Sequence, residues 1–169
     1  MMRVLVFFFC LFVIPLRANL GETVEQCVAR YGVPIGYSEA NPKSPFGTVA
    51  FAAGGYTLVV FVLNNHEVGA RVSKQNKSAF SDAELKTIMA ADAGGSSWTS
   101  TTSPDPTCIS WTRSDRANVL YDKDKHVLIF TAKAMADALH SLPLPPATHP
   151  AAASPVAGPQ AVAPKPAAP

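Results

Sequence analysis

The sequence predicts an α+β fold in which two tandem units, each a helix followed by a three-stranded antiparallel meander, pack as one domain with a disordered C-terminal tail. The main observation is that a capped helical segment followed by three short strand-like segments occurs in residues 21–74 and again in residues 80–131. An apolar leader and a Pro/Ala-rich tail flank this pattern. We therefore expect a single folded domain over residues 19–142, built from two quasi-repeats.

Residues 1–18 are predicted to be a secretory signal peptide. Arg3 precedes an apolar block over residues 4–14, and a small residue, Ala18, follows. The block is about half as long as the roughly 20 apolar residues that a spanning helix needs. We expect cleavage near Ala18, no integral membrane segment thereafter, and a periplasmic or secreted location. Cys10 follows three phenylalanines inside the apolar block, a context that does not suit a lipid anchor.

The first helix is predicted directly after the leader. Thr23 and Gln26 have the spacing of a capping box, and Gly32 supplies a residue suited to ending the helix. Between them, one helical stripe carries Val24, Cys27, Val28 and Tyr31.

Three strands are predicted next, over residues 47–54, 56–63 and 66–73. Gly54-Gly55 and Asn64-Asn65 separate them and suit tight hairpin turns. Residues 56–63 are apolar on both faces apart from Thr57, which predicts a central strand covered on both sides.

The second unit follows the same order. Ser81 and Glu84 form a second capping box, and Phe80 with Leu85 a hydrophobic staple, before Gly94-Gly95 ends the helix. Strands are predicted over residues 108–113, 117–121 and 126–131, and a last Ala-rich helix over residues 133–140.

Residues 143–169 contain nine of the chain's 15 prolines, interleaved with alanine. Such a segment favours an extended, solvated conformation and offers little apolar surface for a core. We expect a disordered tail that is dispensable for folding.

The first helix also carries a resemblance to a known family. The pattern Gly-x-Thr-x-x-Gln, a helix and then Gly-x-Pro falls at Gly21, Thr23, Gln26, Gly32 and Pro34. It resembles the small domain of outer-membrane-assembly lipoproteins of the SmpA/OmlA type, which β-lactamase-inhibitor proteins carry in tandem; the chain is also similar to uncharacterised short exported bacterial proteins. The resemblance implies non-catalytic protein binding in the cell envelope, although no lipidation cysteine accompanies it here.

Charge and motif content argue against several function classes. Once Arg3, Arg17 and Lys165 of the two ends are set aside, 11 basic residues face 12 acidic ones, with no basic run for nucleic acid. The sequence shows no phosphate loop or nucleophile elbow.

The titratable residues do not form a recognisable site. The histidines His66, His126 and His140 lack metal-ligand spacing, and lysines flank Asp122 and Asp124, so a solvated turn is favoured over a calcium loop. We predict no catalytic, cofactor-binding or metal-binding residues.

Three residues are nevertheless candidates for special roles. Cys27 and Cys108 remain after signal removal and form a candidate disulfide in an oxidising compartment, although Cys27 also suits a buried apolar stripe as a free thiol. Trp98, among Ser and Thr after a glycine pair, is a candidate partner surface. Trp111 alternates with polar neighbours and is expected in the core.

These observations favour an exported, non-enzymatic domain that binds another envelope or extracellular protein and needs no cofactor. A small-ligand-binding domain is the main alternative, and a hydrolase is a further one.

Overall fold

The computed structural model describes residues 19–42 and 44–142, so the predicted signal peptide and tail lie outside the described residues. The helices and strands follow in chain order: α1 (Val24–Tyr31), β1 (Gly36–Ser38), β2 (Gly47–Ala53), β3 (Tyr56–Leu63), β4 (His66–Lys74), α2 (Asp82–Asp92), β5 (Thr99–Thr101), β6 (Cys108–Thr112), β7 (Asn118–Asp122), β8 (Val127–Thr131) and α3 (Lys133–His140).

All eight strands form one antiparallel sheet in the order β1-β2-β3-β4-β8-β7-β6-β5. We call α1 with β1–β4 the first half and α2 with β5–β8 the second half. The halves join where β4 pairs with β8, from Gly69 opposite Thr131 to Ser73 opposite Val127. The mixed α+β class is as predicted, and β3 is an interior strand between β2 and β4, while β4 and β8 form the centre of the whole sheet.

Each half contains one strand more than the sequence suggested. The short strands β1 and β5 form the two edges of the sheet, paired with β2 and β6 respectively. Each is three residues long, which is too short for a two-residue periodicity to be recognised.

Both predicted capping boxes are confirmed. Thr23 accepts from the backbone N–H of Gln26 at 3.4 Å, and the Gln26 side chain accepts from the Thr23 N–H at 2.8 Å. At α2, Ser81 and Glu84 make the equivalent pair of bonds at 3.3 and 2.7 Å. These bonds satisfy donors that the first helical turn leaves unpaired, so they fix where each helix begins.

One face of the sheet carries the core, and both α1 and α2 contribute to it. The residues of this cluster that are less than 2% exposed are Cys27, Phe51, Leu58, Val60, Ala70, Val72, Val119, Leu128 and Phe130. Tyr31 of α1 packs on Phe51 with ring centroids 5.3 Å apart.

α3 approaches the reverse face of the sheet at Gly69. A Cβ at this glycine would lie 2.6 Å from the Met135 sulfur and 2.8 Å from the Phe130 carbonyl oxygen. Real Cβ atoms do not approach so closely, so the approach of α3 requires glycine there.

Candidate functional site

An open apolar groove of about 530 Å³ lies between α2 and β6 in the second half. Its apolar lining comes from both elements and the loop before β5: Leu85, Met89, Ala90, Ala93, Trp98, Ile109 and Trp111. Asp82, Lys86, Ser96 and Ser97 supply its polar groups. We call this the tryptophan groove, because Trp98 and Trp111 are the chain's only two tryptophans.

Trp98 is fixed in place and half-buried. Its Nε1–H donates to the Met89 carbonyl oxygen at 2.9 Å, and its ring meets Phe130 edge to face at a centroid distance of 6.2 Å. The Arg113 guanidinium lies 4.9 Å from the ring centroid, within range for a cation–π contact. Trp98 therefore presents one ring surface to the groove while the rest of the side chain packs into the protein.

Trp111 and Ile109 form the opposite wall, on alternate residues of β6. Both are half-buried and pack against the core cluster. Trp111, which is predicted to lie in the core, instead lies half-buried at its margin and also faces the groove.

β5 lies beside the groove and is exposed along its whole length. In the described part of the chain it pairs only with β6, so its other edge is open. An open edge strand is a template for an added strand.

A second region, in the first half, is buried and polar. The pairing of β3 with β4 shifts between Phe61 and Val62, because Phe61 faces Gly69 whereas Val62 faces Glu67. Val68 is the extra residue of this β-bulge. It reverses the alternation of side chains between the two faces of the sheet. Glu67 therefore lies on the core face, as Ala70 does, and not on the reverse face.

Glu67 is 1% exposed and contacts residues of α1 and of the segment before it. The Cys27 thiol donates to Glu67 Oε2 at 3.6 Å. Donor atoms of Glu22, Cys27 and Glu67 all lie within 4.8 Å of one another. We call these three residues the buried acidic cluster.

The backbone holds the cluster together. Gly21 N–H donates to the Glu67 carbonyl oxygen at 2.8 Å, and Glu67 N–H donates to the Glu22 carbonyl oxygen at 2.7 Å. Arg30 pairs with Glu22 Oε1, which also accepts from the Asn19 amide at 2.9 Å. One oxygen of Glu22 is therefore engaged by other side chains.

Three buried oxygens in this region lack any hydrogen-bond partner among the described residues: Glu22 Oε2, Tyr31 Oη and Glu67 Oε1. A buried polar atom without a partner costs about 1–3 kcal/mol, so three together are unusual.

Burial also alters the protonation of these groups. It raises the pKa of Glu67 to about 8, against the lowering effect of the Cys27 bond. Burial and the neighbouring Glu67 raise the pKa of the Cys27 thiol to about 12 and raise the pKa of Tyr31 as well. Without a counter-charge beside them, Cys27 and Glu67 favour their protonated forms near neutral pH.

A polar cavity of about 400 Å³ lies between the N-terminal segment and the end of α2. At its wall, Asp92 accepts from Leu20 N–H at 3.3 Å and lies 3.4 Å from Arg113, which pairs more closely with Asp115 at 2.8 Å. Burial raises the pKa of Asp92 to about 7, although Arg113 opposes this rise.

The predicted disulfide is not formed, because Cys27 and Cys108 are both free thiols. Cys27 contacts Glu67 of β4, whereas Cys108 begins β6, and β8 and β7 lie between those strands. Three strand spacings amount to about 14 Å. A disulfide requires Cα atoms within about 7 Å.

Three other titratable residues, His66, His126 and Asp122, make hydrogen bonds within turns and loops. His66 and His126 each place Nδ1 3.0 Å from a backbone carbonyl oxygen, that of Gly21 and of Lys77 respectively. Asp122 accepts from the backbone N–H groups of Asp124 and Lys125 and pairs with the Lys125 side chain at 2.7 Å. The segment around Asp122 is therefore a hydrogen-bonded hairpin turn.

No protein-family model and no curated protein matches the chain. The solved structures that are similar to part of it include the following two. A cysteine-rich secretory protein from Staphylococcus aureus subsp. aureus Mu50 is 10% identical, with a TM-score of 0.42 over 75% of this chain and 49% of that one. An extracellular protein containing a SCP domain from Bacillus anthracis str. Ames is 12% identical, with a TM-score of 0.40 over 75% of this chain and 50% of that one.

The chain spans about half the length of these two structures, and no residue role is transferred from either. Among residues 19–42 and 44–142, no helix has both the length and the apolar character needed to cross a membrane.

Proposed function

We propose that this chain is an exported, non-enzymatic domain that binds an extended segment of another envelope or extracellular protein. The observation that carries the proposal is an open groove walled by both tryptophans beside an exposed edge strand. Tryptophan is enriched where proteins recognise one another, because its ring buries a large area and loses little conformational freedom.

The position of the groove favours a peptide as the occupant. A segment added along β5 would bond to the open backbone edge and place one apolar side chain between Trp98 and Trp111. Ser and Thr residues surround this edge. We therefore expect the apolar side chain between the two tryptophans to determine which peptide binds.

We also propose that the two halves are a structural repeat related to the SmpA/OmlA and β-lactamase-inhibitor domains. Each half consists of a capped helix and four strands in the same order along the sheet, which supports this proposal. The residues that carry the resemblance, from Gly21 to Pro34, form α1 and its two ends.

The two tryptophans allow a direct test. Because both tryptophans line the groove, intrinsic tryptophan fluorescence is sensitive to its occupancy. The probes are seven-residue peptides of alternating Thr and Val with a central Leu, Phe or Lys. We expect the Leu and Phe peptides to change the emission in a saturable manner and the Lys peptide to have no effect.

A matched pair of variants distinguishes groove binding from non-specific association. Ala90 and Ala83 are both exposed on α2, but only Ala90 lines the groove. Ala90→Phe should fill the groove and abolish peptide binding, whereas Ala83→Phe should bind like the parent protein. Equal loss in both variants, or in neither, would contradict the proposed site.

The volume of the groove also supports a second candidate, a small-ligand-binding domain, since pockets of about 300–1,000 Å³ hold small molecules. N-methylated versions of the same peptides distinguish the two, because they cannot donate to a strand edge. If they bind as well as the parent peptides, strand addition is wrong and the groove is a pocket for an apolar side chain or a small ligand.

A further inference from the structure

We infer that Glu22, Cys27 and Glu67 form a binding site for a divalent zinc-like cation. The inference concerns the first half and is independent of the tryptophan groove. It rests on the convergence of three donor side chains and on the buried oxygens that lack partners.

The distances suit such an ion. A tetrahedral zinc ion with bonds of about 2.3 Å to sulfur and about 2.0 Å to oxygen sets these ligands about 3.5 Å apart. The Cys27 Sγ to Glu67 Oε2 distance is 3.6 Å, and the whole donor set lies within 4.8 Å. Drawing the three donor atoms together, from within 4.8 Å to about 3.5 Å of one another, would complete three protein ligands.

The hydrogen bonds already present leave the required atoms available. Arg30 and Asn19 bond to Glu22 Oε1, while Glu22 Oε2 is buried without a partner in the described residues. This arrangement orients the carboxylate by one oxygen and offers the other, as outer partners do around metal ligands. The Tyr31 hydroxyl, also without a partner, could bond to a water in the fourth position.

Charge and ligand type select the cation. The thiolate and two carboxylates carry three negative charges, and Arg30 supplies one positive charge, so a divalent ion makes the buried group neutral. A thiolate is a soft ligand that suits zinc or cobalt, whereas calcium and magnesium prefer oxygen alone. Binding would release the Cys27 proton to solvent.

The test uses the purified full chain, reduced and freed of metal with a chelator. Co²⁺ should bind in a one-to-one ratio and produce a thiolate-to-cobalt charge-transfer band in the near ultraviolet, which Zn²⁺ should remove by competition. Ca²⁺ should neither produce the band nor displace Co²⁺. Absence of the band, or binding that Ca²⁺ displaces, would overturn the inference.

Variants identify the ligands. Cys27→Ser should abolish the band, and Glu67→Gln should weaken Co²⁺ binding at least about ten-fold. The matched control Cys108→Ser, which changes the other described cysteine, should keep both band and affinity. Loss of the band in Cys108→Ser but not in Cys27→Ser would refute the site.

Glu22→Gln protects the test against misfolding, because Glu22 lies at the margin of the core, with its side chain 15% exposed. This variant should keep the parent circular dichroism spectrum and bind Co²⁺ at least about ten-fold more weakly. Unchanged affinity in Glu22→Gln would exclude a three-ligand site.

Discussion

Both halves have a capped helix on the same face of the sheet, but the space between helix and strands is filled in the first half and open in the second. In the first half, the Cys27 side of α1 meets Glu67, and Tyr31 packs on Phe51. In the second half, α2 stands away from β6, and Trp98 and Trp111 line the groove between them. The first half therefore encloses the buried acidic cluster, and the second leaves the apolar walls of the tryptophan groove open to solvent.

This difference separates two kinds of specialisation. A buried group with unpaired oxygens can bind only something small and charged, because the surrounding core admits little else. An open apolar groove beside a strand edge can bind something long and apolar. The two halves thus provide one candidate interior site and one candidate surface site.

The largest expected effect comes from removing the central ring of each half. Phe51→Ala and Phe130→Ala each delete a fully buried side chain and should lower the free energy of unfolding by about 3–5 kcal/mol. Phe51→Ala should cost more, because Trp98 can shift from the open groove towards the space left by Phe130. Urea unfolding with an unchanged m-value measures both.

A larger loss of stability for Phe130→Ala than for Phe51→Ala would contradict this comparison of the two halves. It would show that the tryptophan groove is held as rigidly as the packed first half.

Most of the fold followed from local sequence signals. Capping boxes and hairpin turns located two helices and the connections between strands, because short-range bonds and backbone preferences determine them. β1 and β5 were missed because three residues carry too little periodicity. The joining of the two halves into one sheet was not predicted, because the sequence does not show that β4 pairs with β8.

The candidate sites were less accessible to prediction. Cys27 was identified as a buried-stripe residue, but its contact with Glu67 depends on a bulge at Val68 and joins residues 40 apart. A useful signal was present: Glu67 is an acidic residue inside a strand rich in Val, Ala and Gly. The tryptophan groove required α2 and β6 to be placed together, which depends on tertiary packing.

The second prediction concerns the contribution of Trp98 to the stability of the second half. Trp98→Ala removes the bond to Met89 and the contacts with Phe130 and Arg113, so we expect a loss of about 3 kcal/mol. Thermal and urea unfolding measure it. The control Ser97→Ala, an exposed groove residue, should lose less than about 0.5 kcal/mol. A Trp98→Ala protein as stable as the parent would mean that the tryptophan serves recognition alone.

The third prediction concerns pH and the wall of the polar cavity. Burial raises the pKa of Asp92 from 3.8 to about 7, so between these values the folded state retains a proton that the unfolded state has lost. The free energy of unfolding should therefore fall as pH rises through this range, by an amount on the order of 4 kcal/mol, and then level off. Arg113 lowers this pKa, while Asp115 and Glu22 raise it further.

Urea unfolding from pH 4 to pH 8 in the presence of a chelator tests this prediction. Asp92→Asn should remove about half of the slope below pH 7, because Glu67 supplies a slope of similar size, whereas the exposed control Asp137→Asn should keep the whole slope. Glu67, whose pKa is raised to about 8, should leave a residual slope in every variant. A slope that Asp92→Asn leaves unchanged would show that Asp92 does not retain its proton in the folded state.

The smallest expected effect compares the two helix starts. Thr23→Ala and Ser81→Ala each remove a side-chain acceptor for a first-turn N–H and should cost about 1 kcal/mol. Ser81 also bonds to Glu84, which pairs with Lys74 at 2.7 Å, but that ion pair survives the substitution. The two losses should therefore agree within about 0.5 kcal/mol in metal-free protein. A much larger loss for Thr23→Ala would mean that the start of α1 positions the buried acidic cluster as well as capping its helix, and that the two halves differ even where their local bonds are the same.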